Sequence, residues 1–203
     1  MKHCDACTSK DAQLIDAKAE IKRQEALIQT LYQQIEDEKR TTPLTGLPNK
    51  LSMKEHTEEA IATAGRYVDR INVMFFTDLD NFKGINDNYN HTFGDDVLKA
   101  VAKTYKSTLR AADHVFHISG DEFIILAEVE NLEDAEKVKA KIQNAIDALE
   151  LNFNGEVVKL GVSVGYTEVY AKNSVKDLTV EADESLQADK DKRLKDGLRH
   201  KRT

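Results

Sequence analysis

Hydrophobic residues recur every seven positions over the first forty residues of the chain. The first core position of this repeat is held by Leu14, Ile21, Ile28 and Ile35. The companion core position, which is less apolar, is held by Ala17, Gln24, Leu31 and Glu38. Because residues 11–41 contain neither Gly nor Pro and are rich in strong helix formers, the pattern predicts one long helix. Its β-branched core residues favour a parallel two-stranded coiled coil; an amphipathic helix lying on the domain's own surface is the alternative.

The rest of the chain alternates between helical and strand-like patterns. Helices are predicted over residues 50–64, 94–109, 132–149 and from about 175 onward. Strands are predicted over 71–78 and 157–166, and two short apolar runs, 115–118 and 123–127, predict a hairpin around a Gly-containing turn. This order predicts an α+β fold, an α/β sandwich with helices over one central sheet.

Both prolines of the protein, Pro43 and Pro48, lie in a turn-rich segment at residues 42–49. A proline ends a helix and marks a turn. The segment therefore divides the chain into an N-terminal helix, residues 1–41, and a globular domain, residues 42–203. A length of 203 residues fits one substantial domain with an accessory segment.

The net charge of −7 argues against a general nucleic-acid binder, which neutralises phosphates with Lys and Arg. It leaves room for a small nucleotide bound in a local cationic pocket. No window reaches the roughly 20 apolar residues that cross a bilayer, and the first residues lack the apolar run of a secretory signal. We therefore expect a cytoplasmic protein without a membrane partner, with its two cysteines reduced.

Two acidic clusters follow or precede predicted strands. Asp78 and Asp80 end one apolar strand, and Asp121 and Glu122 lie at the hairpin tip. If the two strands are neighbours in one sheet, these carboxylates converge, and hard oxygen ligands suit Mg²⁺ together with substrate phosphates. Taken singly, each cluster is better explained as a solvated acidic turn.

The segment between the clusters points to a family. Residues 78–95 (DLDNFKGINDNYNHTFGD) and 119–123 (SGDEF) resemble the two signatures of the GGDEF diguanylate cyclases. Residues 44–49 (LTGLPN) resemble that family's opening motif. The resemblance covers roughly residues 42–190, and several motifs in the correct order make it far more specific than the Gly-Asp-Glu-Phe tetrapeptide alone.

The resemblance implies a metal site and a catalytic base. Asp78, Asp121 and Glu122 would bind Mg²⁺ or Mn²⁺, with the backbone carbonyl of Leu79 completing the set. Asp121 would also help to deprotonate a ribose 3′-hydroxyl, and Glu122 belongs to the same catalytic pair. The implied fold is a mostly antiparallel sheet flanked by helices, similar to nucleotide cyclases and polymerase palms.

The resemblance also implies how GTP binds. Asn86 and Asp95 would recognise guanine, since a carboxylate accepts from N1–H and the exocyclic amine while an amide supplies a donor and an acceptor. The phosphates would be held by two lysines and two backbone amides: those of Lys83, Lys190, Asn81 and Phe82.

The implied reaction joins two GTP molecules into cyclic di-GMP and releases pyrophosphate. Each protomer would hold one GTP, so the N-terminal helix acquires a function as the homodimer contact. Two other classes compete with this interpretation: a catalytically inactive receptor for cyclic di-GMP and a purely structural dimer module. The complete set of site residues favours the enzyme.

Arg110 and Asp113 match the family's inhibitory product site in residue type and in distance from the hairpin tip. An Arg fork pairs with phosphate or the guanine Hoogsteen edge, and a carboxylate accepts from guanine amines. A salt bridge at a helix end is the alternative interpretation.

Several positions depart from the family pattern. They are Ser119 for the first Gly of the signature, Thr42 for the usual Asp, Lys50 for Arg, Gln187 for Tyr and Leu194 for an Arg at the phosphates. Arg193 or Lys195 would be the substitutes for that last Arg. A positive φ at Ser119 would cost about 1 kcal/mol or more.

The N-terminal residues His3, Cys4 and Cys7 form a short cluster of soft ligands. Two such clusters across a dimer could supply the four ligands of structural zinc; a frayed terminus is equally consistent with the sequence. His91 and His117 are interpreted as structural or pocket-lining residues.

Overall fold

The computed structural model describes residues 15, 17–31, 40–66 and 69–197. The chain divides into two compact units, Met1–Lys39 and Arg40–Thr203. In the first unit residues 17–31 are helical and exposed. The predicted core positions Leu14, Ile35 and Glu38, and the predicted ligands His3, Cys4 and Cys7, lie outside the described residues.

The second unit is an α+β domain, as predicted. Its helices are α1 (Lys50–Thr63), α2 (Phe82–Tyr89), α3 (His91–Thr108), α4 (Leu132–Asp147) and α5 (Val175–Lys195). Its strands are β1 (Ile71–Leu79), β2 (His114–Ser119), β3 (Glu122–Val129), β4 (Glu150–Phe153), β5 (Glu156–Lys159) and β6 (Val162–Glu168).

Four of the strands form one sheet in the order β2-β3-β1-β6, and every neighbouring pair is antiparallel. β1 lies between β3 and β6, and its register pairs Ile71 with Val129 and Asp78 with Glu122. β4 and β5 form a separate two-stranded hairpin. The mostly antiparallel sheet predicted from the family resemblance is therefore confirmed.

Helices cover both faces of the sheet, which explains why β1 reads as a continuous apolar run instead of an alternating one. On one face Phe75 and Ile125 belong to a core that includes residues of α3 and α4. On the other face Met74 and Ile124 belong to a core that includes residues of α1 and α5. The central strands are thereby held rigidly between two cores.

The predicted strand 157–166 is divided in the structure. It contributes to β5 and to β6, which are separated by Leu160 and Gly161, and β4 completes the hairpin with β5. The error arose because the apolar residues of both strands run together without a polar turn between them.

Helix α2 lies in a segment where the sequence pattern predicts no helix, and α3 begins at His91, three residues before the predicted start. The Asn-rich composition of residues 81–90 obscures the starts of two helices. Asn81, with φ 56°, precedes α2. The Asn90 side chain accepts a hydrogen bond from Phe93 N–H at the start of α3.

Helix α5 packs unusually close to β6 at Gly165. A Cβ atom at this position would lie 2.5 Å from the carbonyl oxygen of Ala182 and from Cα of Leu186. Only a residue without a side chain allows this approach. The close contact places the C-terminal half of α5 over the ends of β1 and β6.

None of the helices in the described ranges is both long enough and apolar enough to span a membrane.

Candidate active site

The two acidic clusters meet at one end of the sheet. Asp78 is the cross-strand partner of Glu122, and the backbone N–H of Leu79 donates to the carbonyl oxygen of Asp121 at 3.3 Å. In an antiparallel pair, directly opposite residues present their side chains on the same face. The structure therefore brings together Asp78 and Glu122, with Asp121 beside them in the turn.

The hairpin turn that carries Asp121 has a backbone suited to its sequence. Gly120 adopts φ 47°, a conformation that Gly reaches without steric cost. Ser119 lies in β2, outside the positive-φ residues, so its substitution for Gly brings no strain there. Its hydroxyl donates to Oε2 of Glu122 at 2.6 Å, which orients that carboxylate.

Lys190 lies at the acidic centre. Its Nζ atom is 2.9 Å from Oδ2 of Asp78, and both side chains are largely buried. An ammonium group in this position offsets the charge of the carboxylates and lies close to any phosphate bound at the same strand end. The predicted phosphate contact of Lys190 is consistent with this position and stays a prediction.

Asp80 has a structural role distinct from that of Asp78. It accepts a hydrogen bond from the Ser163 hydroxyl at 2.7 Å and pairs with Arg193 Nε at 3.1 Å. Arg193 also reaches Asp147 at the end of α4, at 3.3 Å. This buried network joins β1, β6, α4 and α5 immediately behind the acidic centre.

Arg193 therefore does not replace the missing phosphate-binding arginine, because its guanidinium is buried against Asp80 and Asp147. Lys195, the other suggested substitute, is exposed near the end of α5. Sequence reasoning missed Ser163 as a neighbour of the site, and it assigned Arg193 to phosphates instead of to Asp80. A charged residue in a helix carries no local signal of the buried carboxylate that it meets in the fold.

A second buried ion pair holds α5 next to this network. Asp189 is 2.7 Å from Nζ of Lys139 on α4. It also accepts from the side chain of Gln143 and from the backbone N–H of Val164. Asp189 directly precedes Lys190, so the contacts of Asp189 set the position from which Lys190 reaches Asp78.

The two predicted guanine-recognition residues lie close together on α2 and α3. Asn86 packs against Gly94, where any Cβ would collide with its Oδ1 atom. Asp95 follows Gly94 directly and is exposed, whereas Asn86 is half-buried. The glycine thus allows the amide and the carboxylate to share one small region of the surface.

The beginning of α2 presents backbone N–H groups beside the end of β1. The side chain of Asn81 makes no capping hydrogen bond, and the first N–H groups of a helix have no partner within it. Such a terminus favours anions through its N–H groups and its dipole. The positions of Asn81, Phe82 and the exposed Lys83 are consistent with the predicted phosphate contacts.

A buried tyrosine supports β1 from the opposite face. The hydroxyl of Tyr105 donates to Thr77 Oγ1 at 3.2 Å, and Thr77 Oγ1 donates to the carbonyl oxygen of Phe123. Burial raises the pKa of Tyr105 well above its ordinary value. The phenol therefore stays neutral and donates to Thr77, the residue that directly precedes Asp78.

The donor set at the acidic centre suits a hard cation. Asp78, Asp121, Glu122 and the Leu79 carbonyl offer oxygen atoms only, which matches Mg²⁺ or Mn²⁺ better than a soft metal. In the described part of the chain no three His, Cys, Asp or Glu residues are arranged as a ready metal site.

Arg110 and Asp113 lie away from the acidic centre, after the end of α3. The Asp113 carboxylate accepts from the backbone N–H of Arg110 at 2.8 Å. This contact joins the two residues through the backbone of Arg110, and the product-site assignment stays a prediction. Both line a cavity of about 460 Å³ that also contains the side chains of Arg70, Lys137 and Lys141.

The fold and the site define an α+β domain whose central antiparallel strands end in paired carboxylates beside a helix N-terminus. The family described as "Diguanylate cyclase, GGDEF domain" matches residues 39–195. The chain belongs to this family.

Two curated relatives show the extent of the similarity. The chain is 31% identical to the diguanylate cyclase DgcP of Pseudomonas aeruginosa over 177 residues, which is 87% of this chain and 24% of that protein. It is 32% identical to the diguanylate cyclase DosC of Escherichia coli over 148 residues, 70% of this chain and 31% of that protein. The chain thus spans about a quarter to a third of these relatives.

Solved structures share the fold. Diguanylate cyclase SiaD of Pseudomonas aeruginosa, solved with its activator SiaC, superposes with a TM-score of 0.72 at 27% identity, covering 92% of this chain and 72% of that one. The coiled coil and GGDEF domain of DgcB from Caulobacter crescentus, solved with c-di-GMP, gives a TM-score of 0.76 at 24% identity, covering 90% and 94%.

We predict that Arg193→Met lowers the free energy of unfolding by about 3 kcal/mol, because removing one partner leaves a buried carboxylate, Asp80, without its counter-charge. Urea denaturation measures the change. The matched control is Lys192→Met, the same type of substitution at the preceding exposed position, which should change stability by no more than about 0.5 kcal/mol. Equal stability of the two variants would show that the network is energetically neutral.

Proposed function

We propose that this chain is a diguanylate cyclase that condenses two GTP molecules into cyclic di-GMP and two pyrophosphates. The observation that carries the proposal is the pairing of Asp78 with Glu122, with Asp121 beside them, in a chain of the GGDEF family. The proposal supplies a function for residues that the fold by itself does not require.

The guanine nucleotide would lie between the acidic centre and helices α2 and α3. Asn86 and Asp95 are neighbours through Gly94 and offer the donor and acceptor groups that guanine requires. The beginning of α2 offers N–H groups to the phosphates, with Lys83 beside it. A nucleotide placed in this way directs its phosphates toward Asp78 and Lys190.

A divalent cation would be held by Asp78, Asp121, Glu122 and the Leu79 carbonyl. When bound, Mg²⁺ or Mn²⁺ lowers the pKa of an attacking hydroxyl and offsets charge on the transferring phosphate. The chain's own contribution is positioning. Ser119 orients Glu122, and the pairing of β1 with β3 holds Asp78 beside it.

The reaction needs two such sites facing each other. The 3′-hydroxyl of one GTP attacks the α-phosphorus of the other, the new P–O bond forms, and the bond to pyrophosphate breaks. Asp121 takes the hydroxyl proton. In the second step the two nucleotides exchange roles: the remaining 3′-hydroxyl attacks the remaining α-phosphorus, which closes the ring and releases the second pyrophosphate. Since one domain supplies one nucleotide, catalysis requires a dimer.

The N-terminal helix is the proposed dimer contact. In the described part of this helix the predicted core residues Ile21 and Ile28 are 55% and 49% exposed in the isolated chain. Large apolar side chains at seven-residue spacing are typical of a coiled-coil seam that a second copy covers. The seven-residue spacing supports the homodimer.

Product inhibition is the second proposed property. The cavity at Arg110 and Asp113 combines guanidinium and ammonium groups with carboxylates, which are the groups that recognise phosphates and guanine edges. Cyclic di-GMP carries two phosphates and two guanine bases. Binding there would give the enzyme a product-sensing site separate from its acidic centre.

We expect the full chain to form cyclic di-GMP when incubated with GTP and Mg²⁺, and Asp121→Ala to lower the rate by about a hundredfold or more, since it removes the proposed general base. Chromatographic separation of the products measures both. Glu184→Ala, which removes an exposed carboxylate on α5, is the control and should keep the parent rate. Cyclic di-GMP binding without turnover in the parent would instead favour the receptor.

The double variant Ile21→Lys/Ile28→Lys should lose specific activity on dilution at protein concentrations where the parent keeps it, because charges in the seam weaken the dimer. Light scattering gives the mass and product formation gives the activity. Ala19→Lys/Ala26→Lys places the same charges outside the predicted core and should behave like the parent. If the seam variant stays dimeric, the helix is not the dimer contact.

Arg110→Ala should raise the concentration of cyclic di-GMP that halves the rate by about tenfold or more, since a hydrogen bond to a charged group contributes about 1.5 kcal/mol. Initial rates with added product measure this shift. Lys103→Ala, which removes an exposed cation of α3, serves as the control. Unchanged inhibition of the Arg110 variant would exclude this cavity as the product site.

A further inference from the structure

His117 is a buried histidine on β2 that none of the roles above uses. It is 4% exposed, and its ring stacks on Phe123 with centroids 4.6 Å apart and planes inclined by 14°. Phe123 follows Glu122 in β3. The ring therefore lies directly beneath the hairpin turn that carries Asp121.

Both ring nitrogens of His117 make hydrogen bonds, and to different parts of the chain. Nε2 is 2.9 Å from the carbonyl oxygen of Gly120 in the turn. Nδ1 is 3.1 Å from Oγ1 of Thr45. Thr45 belongs to the linker, which we define as residues 41–49, the segment of the second unit that precedes α1.

The partners determine the direction of this hydrogen-bond chain. A carbonyl oxygen only accepts, so Nε2 carries the proton and donates to Gly120. In the neutral ring Nδ1 then accepts from the Thr45 hydroxyl, whose oxygen in turn accepts from Leu47 N–H at 3.4 Å. One continuous chain thus runs from the linker backbone through His117 to the turn.

The backbone of His117 contacts the same linker. Its N–H donates to the carbonyl oxygen of Pro48 at 2.9 Å, and its own carbonyl oxygen accepts from the Thr42 hydroxyl at 3.3 Å. The linker is therefore joined to this one residue by backbone and side-chain hydrogen bonds together. Thr42, a departure from the family pattern, has a defined partner here.

The turn is held from two sides as a result. His117 binds the carbonyl oxygen of Gly120, and Leu79 N–H binds that of Asp121. These two contacts fix successive peptide groups of the turn, one to the linker and one to β1. Displacing the first would let the peptide rotate and move Asp121, and a misplacement of about 1 Å can cost a hundredfold in rate.

We propose that His117 is a positioning residue that holds the catalytic turn through Gly120 and joins that turn to the linker through Thr45. The inference rests on the proposed cyclase activity for its kinetic consequence. His117 touches neither nucleotide nor metal in this proposal; it acts through the turn conformation. A change of the linker's position would reach Asp121 by this route.

The test compares His117→Phe with His117→Gln in the full chain. Phe keeps an aromatic ring on Phe123 but removes both hydrogen bonds, and should lower kcat about tenfold or more while KM for GTP changes less than about threefold. Gln keeps an N–H donor near the Nε2 position and should restore kcat to within about threefold of the parent. Thr45→Val should fall between them.

Hydrogen exchange gives a readout that does not require activity. The amides of residues 118–122 should exchange about tenfold faster in His117→Phe than in the parent, and at the parent rate in His117→Gln. His114→Phe, an exposed histidine of the same strand, is the control for both measurements. If the parent makes no cyclic di-GMP, the proposed function fails while exchange still decides the role of His117.

Two outcomes would overturn the proposal. Parent-like kcat and exchange in His117→Phe would show that the turn does not depend on the ring's hydrogen bonds. Equal impairment of the Phe and Gln variants in kcat and in exchange would show that a donor to Gly120 does not restore the turn, so the bond to Gly120 is not what positions Asp121.

Discussion

The antiparallel pairing of β1 with β3 is the constraint on which the rest of the site depends. It places the last residues of one strand opposite the first residues of the other, so carboxylates 44 positions apart in sequence meet as Asp78 and Glu122. A slip of one residue would turn every side chain of β1 to the opposite face of the sheet. Cores on both faces resist such a slip, because Phe75 would leave its closely packed core and a neighbouring side chain of different shape would take its place.

The acidic centre also depends on cations that the fold brings from a distant helix. Lys190 offsets Asp78, and Arg193 offsets Asp80. Buried carboxylates without such partners would be costly to fold. The close approach of α5 to β6 at Gly165 makes these contacts possible, so a backbone feature with no chemistry of its own determines the electrostatics of the site. The linker is hydrogen-bonded to the same turn through His117.

Much of the fold could be predicted from the sequence, and the reasons are local. The apolar run of β1, the Gly-containing hairpin tip and the long helices carry clear periodicity or turn chemistry. Helix α2 and the division between β5 and β6 were missed. Asn-rich caps conceal the first, and the absence of a polar break conceals the second. The candidate site residues came from motif order, and the structure shows which of them are neighbours.

By itself the sequence determined the class of domain, the position of its turns and the chemical character of its conspicuous residues, since these follow from patterns within a few positions of the chain. Only the tertiary structure decided that Asp80 belongs to a buried ion-pair network while Asp78 lies at the acidic centre, and that Arg193 is structural. It likewise decided that His117 joins the linker to the turn. Each of these outcomes depends on partners contributed by elements far apart in sequence, and no local pattern encodes which buried groups will meet.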